Sequence, residues 1–310
     1  MDRPDHTLLE AVDARTTLAG SNRMEILLFS LGTGETFGIN VFKVREVSKT
    51  PFVTKAPNMP AGVEGLISLR GNVIPVISLG RALNLPGVAG RAGSMMVTEY
   101  SKRTLGFLVH EVDRIIRVDW DKVHAPENVS GQSLITAITH LPDGKLVSIL
   151  DVETILANTF GEAVIGDIPS VDSEREINIF FVDDSSVARK KIAEVLDKLG
   201  VRHKHALNGL EAWTRLQGMA SHSQASGRPI SEEVDLILVD AEMPEMDGYV
   251  LTRNIKNDPR FEGIPVVMHS SLSSEANRAM GKSVGVDAYV AKFDAAVLAE
   301  TLRPYLSKTR

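Results

Sequence analysis

From residue 177 onward, short apolar runs alternate with segments of helical period, and two of the runs end on aspartate. Residues 177–182 form a continuous apolar run, the mark of a strand buried on both faces. Residues 186–198 follow with Val187, Ile192, Val195 and Leu196 on one helical face, stopping near Gly200. Residues 203–206 read as a short strand and residues 210–216 as part of a helix. Runs at 236–239, 266–269 and 288–290 complete five strands, with helical segments between them. Alternating strand and helix implies a parallel sheet covered by helices on both faces, a (βα)5 flavodoxin-like α/β fold. The polar stretch 219–233 is long for such a connection and is expected to be a mobile surface loop.

The first half obeys a different rule. Between residues 24 and 156 strand-like runs succeed one another across turn signals, which implies antiparallel sheets or barrels. Residues 24–31 and 36–41 flank Gly32-Thr33-Gly34 as a hairpin, and residues 94–100 and 104–112 flank Ser101-Lys102-Arg103 as another. Pro75 inside the run 72–79 suggests a strand edge or a bulge, and a short helix is expected from Asp151. The sequence thus divides into an N-terminal segment 1–23, expected to be helical, an all-β domain 24–160, a polar linker 161–176 and an α/β domain 177–310. A length of 310 residues accommodates two such domains.

Composition narrows the chemistry. The chain has no cysteine, so disulfides, thiolate metal sites and cysteine nucleophiles are excluded. Its net charge of -6 argues against a nucleic-acid partner. The N-terminus is polar, and no apolar run approaches the ~20 residues of a membrane helix. The expectation is a soluble cytoplasmic protein without direct membrane insertion.

In a parallel sheet the functional crevice lies beyond the carboxyl ends of the strands. Asp183 and Asp184 follow the first strand and Asp240 the third, so three carboxylates converge there. They repel one another by a few kcal/mol per pair at an effective dielectric of ~20. A cluster with few oxygen ligands and room for water suits Mg²⁺. The fourth strand ends on hydroxyls at Ser270 and Ser271, the fifth on Lys292. Acids, hydroxyl and lysine on separate strand ends make a phosphoryl-transfer site. His269 beside Ser270 is better read as packing under the site than as a base. His203 and His205 lack a third ligand, so a solvated edge is the better reading.

These residues lie in FFVDDSS, LILVDAEMPEMDG, VVMHSS and DAYVAK, stretches that resemble response-regulator receiver domains from residue 177 to about 306. The resemblance implies that Asp240 accepts the phosphoryl group and that Asp183 and Asp184 hold Mg²⁺ with the backbone carbonyl of Glu242. It gives Ser270 the switch hydroxyl, Lys292 the phosphoryl contact and Tyr289 the aromatic that changes rotamer. Phe293 stands where the family usually has proline after the lysine, which makes a trans bond or a shifted loop the expectation there.

The first half shows no catalytic constellation. GTGE at residues 32–35 lacks the Lys-Ser or Lys-Thr of a phosphate loop, and neither GxSxG nor HExxH occurs. FGINV with KVREV, then APNMP and GLISLRGNVIPVI, resemble CheW-type coupling domains over residues 24–158. That family is built as two small five-stranded barrels that bridge a chemoreceptor tip to a CheA-type histidine kinase. By position Val44, Glu46 and Arg70 match its partner-facing residues. Val44 fits a core position equally well, Glu46 a solvated strand face, and Arg70 a brace for the turn at Gly71. A coupling domain followed by a receiver resembles the arrangement of CheV-type coupling proteins. The implied function is a non-enzymatic adaptor, cytoplasmic and associated with receptor arrays, in which phosphorylation regulates coupling. The alternative is a receiver that acts mainly as a phosphate sink for the kinase.

Overall fold

The computed structural model describes residues 23–86, 92–100, 103–125, 134–161, 164–270, 275–292 and 294–307. The segment 1–22, where a helix is expected, and Phe293 lie outside them. The chain forms two compact units, whose described residues are 23–161 and 164–307.

The N-terminal unit contains β1 (Arg23–Ser30), β2 (Thr36–Asn40), β3 (Val44–Lys49), β4 (Val63–Leu69), β5 (Asn72–Ser78) and a single turn, α1 (Leu79–Ala82). It continues with β6 (Ser94–Tyr100), β7 (Arg103–Val109), β8 (Glu111–Asp119), β9 (Ile135–His140), β10 (Leu146–Leu150) and α2 (Val152–Phe160). The ten strands make two five-stranded sheets, ordered β8-β1-β2-β10-β9 and β3-β6-β7-β5-β4. The double five-stranded architecture expected from the sequence is therefore present. Strand β1 shows how alternation builds it. Met24, Ile26 and Leu28 enter the core wrapped by the first sheet. Leu27 and Phe29 point the other way, into a core shared with β6 and β7 of the second sheet and with α2. Gly38 faces β1, where a Cβ would come within 2.5 Å of Ile26 Cγ2, so no larger residue fits without a shift.

Two sequence readings change here. The run 104–112 is not one strand. It breaks at His110, whose N–H donates to Ser30 O at 3.0 Å, as the chain leaves the second sheet and enters the first as β8. Strand β5 is interior rather than an edge, but its pairing to β7 begins only at Val76, immediately after Pro75. The missing proline N–H is thus placed where the second neighbour has not yet begun to pair.

The C-terminal unit alternates as expected: β11 (Asn178–Val182), α3 (Ser186–Leu199), β12 (Arg202–Ala206), α4 (Gly209–Ala225), β13 (Leu236–Asp240), α5 (Gly248–Asn257), β14 (Val266–Ser270), α6 (Glu275–Ser283), β15 (Ala288–Ala291) and α7 (Ala295–Leu306). The sheet is parallel in the order β12-β11-β13-β14-β15. Ile179 and Phe181 pack with α3 and α7 on one face. Phe180 and Val182 pack with α4 and α5 on the other.

The loop expected at 219–233 is half helix. Ala212, Leu216, Ala220 and Ser223 are buried at spacings of four, four and three, which carries α4 to Ala225. Ile230 in the next turn is buried in the same core. The polar stretch before β11 also has an attachment. Ile165, Ile168 and Val171 pack against the α3–α7 core, and Val171 N–H donates to Leu199 O at 2.9 Å. Arg303 adds hydrogen bonds to the carbonyls of Pro169 and Ser170.

Candidate functional site

Five parallel strands deliver their C-terminal ends to one edge, and the loops there decide which side chains meet. Strand β11 runs directly into Asp183 and Asp184. Ser185 caps α3 by accepting from Ala188 N–H, and its own N–H donates to Asp183 Oδ1 at 2.9 Å. Asp240 is the last residue of β13. The following loop folds back sharply: Glu245 has φ 66°, and Gly248 N–H donates to Ala241 O at 3.0 Å. A Cβ on Gly248 would lie 2.0 Å from the Asp240 carbonyl oxygen, so this close return requires glycine. Asp247 then caps α5 by accepting from Val250 N–H at 2.8 Å.

Asp183 (0 % exposed), Asp240 (3 %) and Lys292 (6 %) are buried together. The Lys292 ammonium lies 2.8 Å from Asp183 Oδ2 and 2.9 Å from Asp240 Oδ2. Oxygens of Asp183, Asp184 and Asp240 lie within 4.8 Å of one another. At that separation each pair of ionised carboxylates repels by roughly 3 kcal/mol at an effective dielectric of ~20. Three carboxylates against one ammonium leave a formal charge of about -2, in an all-oxygen donor set that suits Mg²⁺. Among the described residues this is the one group of histidines and acids close enough to hold a metal.

Ser270 closes β14 fully buried, and its carbonyl accepts from Lys292 N–H at 2.8 Å. Tyr289 on β15 lies beside the Ser270 hydroxyl and the Tyr249 phenol. Burial pushes the Tyr289 phenol up to about 12. It raises Tyr249 as well, with Tyr289 the next cause. Glu242 is buried on the 241–247 loop, and its charge opposes ionisation of both phenols. The guanidinium of Arg278 stands 5.8 Å from the Tyr289 ring centre. Asp183, Asp184, Asp240, Glu242, Ser270, Tyr289 and Lys292 thus gather at one end of the sheet.

The histidines do not join them. His269 is buried and borders a cavity of about 170 Å³ with Ile165, Ala188, Ile192 and Leu298. On edge strand β12, His203 meets Asp197 at 3.1 Å and His205 stacks on Phe181 at 5.3 Å.

In the N-terminal unit, Arg70 is the first residue of the two-residue turn between β4 and β5, with φ 49° and a side chain 79 % exposed. It pairs with Glu46, which follows a bulge at Arg45 on β3. Of the two readings left open for Val44, partner surface or core, its burial fits the core. It is 1 % exposed and packs in the cluster shared by the two sheets, so it supports β3 from beneath. Two residues near the acidic crevice escaped the sequence reading. Tyr249 follows the MPEMDG stretch as a plain helical aromatic. Arg189 is a basic residue on a helix already rich in lysine. Neither carries a sequence signal of its own.

Comparison with known proteins comes to the same two halves. Residues 25–160 match the CheW-like domain family and residues 179–303 the response regulator receiver domain family. Chemotaxis protein CheV3 of Helicobacter pylori is 31 % identical over 279 residues, covering 88 % of this chain and 89 % of that protein. Chemotaxis protein CheV1 of the same organism is 27 % identical over 332 residues, covering 96 % and 98 %. The crystal structure of the scaffolding protein TtCheW from Thermoanaerobacter tengcongensis is 29 % identical at a TM-score of 0.41, covering 45 % of this chain and 90 % of that one.

Proposed function

The chain belongs to the CheV family of chemotaxis proteins, and from that premise we propose that it links chemoreceptor tips to a CheA-type histidine kinase under the control of phosphorylation at Asp240. The observation that carries this reading is the buried Lys292 ammonium between Asp183 and Asp240. An ammonium held there neutralises a nucleophilic carboxylate before reaction and a phosphoryl oxygen after it.

The transfer uses this chain's own groups as follows. A carboxylate oxygen of Asp240 attacks phosphorus in a phosphohistidine of the kinase. The P–N bond breaks, its electron pair stays on the imidazole nitrogen, and an aspartyl phosphate forms. Lys292 follows the added negative charge. The Ser270 hydroxyl, now beside Tyr289, turns to a phosphoryl oxygen, and Tyr289 moves into the space it leaves. Asp183, Asp184 and the Glu242 carbonyl would hold Mg²⁺, which supplies charge neutralisation at the phosphoryl oxygens. Water later hydrolyses the acyl phosphate and restores the carboxylate.

Glu46 and Arg70, joined as an ion pair with Arg70 at an exposed turn, support a partner-facing surface on the other unit. The test of the acceptor is phosphorylation of the whole chain with a small-molecule phosphodonor and Mg²⁺, followed by intact mass. Wild type should gain one phosphoryl group and Asp240→Asn none. Equal labelling of the two overturns the assignment.

A further inference from the structure

Beside the acidic cluster lies a second cation, held by the backbone of two of its residues. Arg189 sits one turn into α3, and its Nη1 donates to the carbonyl oxygens of Asp183 at 2.9 Å and Asp184 at 2.8 Å. Nη1 can do this because it carries two N–H bonds, held at fixed directions in the guanidinium plane, one for each carbonyl. The peptide groups on both sides of the Asp184 Cα are thereby fixed to α3. Asp183 has further restraints, since its carboxylate accepts from Ser185 N–H and forms an ion pair with Lys292. Asp184 is half-buried, partly open to solvent. Mutual repulsion of the three carboxylates favours any backbone change that carries Asp184 away from the cluster.

We infer that Arg189 is a positioning residue for the divalent-cation site, holding Asp184 in the cluster by clipping the two carbonyls. This rests on the reading of the cluster as a Mg²⁺ site and adds to it a residue without which the ligands are present but not pre-arranged. Groups that orient metal ligands typically change affinity by about 10–100-fold when removed.

Charge and geometry make opposite predictions, which is what renders the inference testable. As a bare positive charge near the site, Arg189 weakens cation binding, so its removal tightens Mg²⁺. As a clip, it strengthens binding, so its removal loosens Mg²⁺. Arg189→Lys retains the charge but lacks the planar fork, and Arg189→Ala lacks both.

The measurement is a calorimetric Mg²⁺ titration of the full chain without phosphodonor, paired with melting curves in chelator. The expected result is affinity reduced roughly ten-fold or more in both variants, with melting in chelator nearly unchanged in Arg189→Lys. Wild-type affinity in a folded Arg189→Lys, or tighter binding in Arg189→Ala, overturns the inference. If Arg189→Ala does not fold, Arg189→Lys decides alone. Asp184→Asn separates the two levels of the argument. Should it bind Mg²⁺ like wild type, the reading of the site itself fails, whatever Arg189 does.

Discussion

A buried carboxylate is costly unless something compensates it, and this chain compensates in two ways. Asp183 and Asp240 are held by Lys292. Asp151 is buried beside Glu153 and compensated locally, capping α2 by accepting from Thr154 N–H at 2.9 Å and from the Thr154 hydroxyl at 2.7 Å. Burial first, then the Glu153 charge, raises the Asp151 carboxyl above the ordinary carboxylate range. A raised carboxyl favours folding when protonated. Its contribution is fully present below the ordinary value and is lost as pH climbs through the raised one. Asparagine caps helices about as well as aspartate and carries no charge. Asp151→Asn should therefore gain stability over wild type at neutral pH, with the gain shrinking as pH falls. Urea unfolding followed through Trp120, in a Trp213→Phe background, reads this unit separately; a gain independent of pH contradicts the assignment. Arg70 allows a second test at this scale. Its φ of 49° suits glycine better than any β-carbon residue. Arg70→Gly should keep or raise stability by up to ~1 kcal/mol while weakening partner binding by ~2 kcal/mol or more. Binding unchanged in that folded variant removes Arg70 from the interface.

At the scale of elements, residues 164–171 behave as part of the C-terminal unit, with Ile165 only 9 % exposed against the α3–α7 core. Ile165→Ala should cost that unit about 2 kcal/mol, read by its melting transition, and a fragment beginning at Ile177 should melt below one beginning at Val164. Identical melting of the two fragments would mean the contact contributes nothing. Composition hid this attachment: Ile165, Ile168 and Val171 recur every third residue, but the Gly, Pro and Asp between them fit neither a helix nor a strand. The same limit explains the rest of what was not legible. Strands β11, β13 and β14 could be read because buried runs of Val, Ile, Leu and Phe have few alternatives, a signal that β12, RHKHA, lacks. The last turns of α4 could not, because they bury Ala220 and Ser223, residues too small to mark a face. Strand β8, EVDRIIRVD, was hidden by its exposed charges and by the change of sheet at His110. The site was more legible than the fold around it. Aspartates, serine and lysine at strand ends are fixed by topology alone, whereas Arg189 and Tyr249 act through contacts that spacing does not encode. Val44, left open between partner surface and core, shows that matching a position does not say which way a side chain faces.

At the scale of the whole molecule, the proposed function allows the receiver two roles: it regulates coupling, or it drains phosphoryl groups from the kinase. The two differ in what they require of the covalent connection. Draining depends on the concentration of Asp240, so a separate receiver drains as well as an attached one at equal concentration. Regulation acts through the attachment, which holds a short-tethered domain at an effective concentration on the order of millimolar. Each half encloses its own apolar cores, so each can be supplied as a separate chain, residues 23–161 and 164–310. In arrays reconstituted from receptor and kinase, the full chain with phosphodonor should shift kinase activity relative to full-length Asp240→Asn. The separated pair at the same concentrations should still take up phosphoryl groups but lose that shift. The dependence on linkage follows because a micromolar free receiver falls roughly a thousand-fold short of its tethered concentration. If instead the separated pair lowers kinase phosphorylation and shifts activity as strongly as the intact chain, the receiver is a sink. Phosphorylation of Asp240 would then have no bearing on how the N-terminal domain couples its partners.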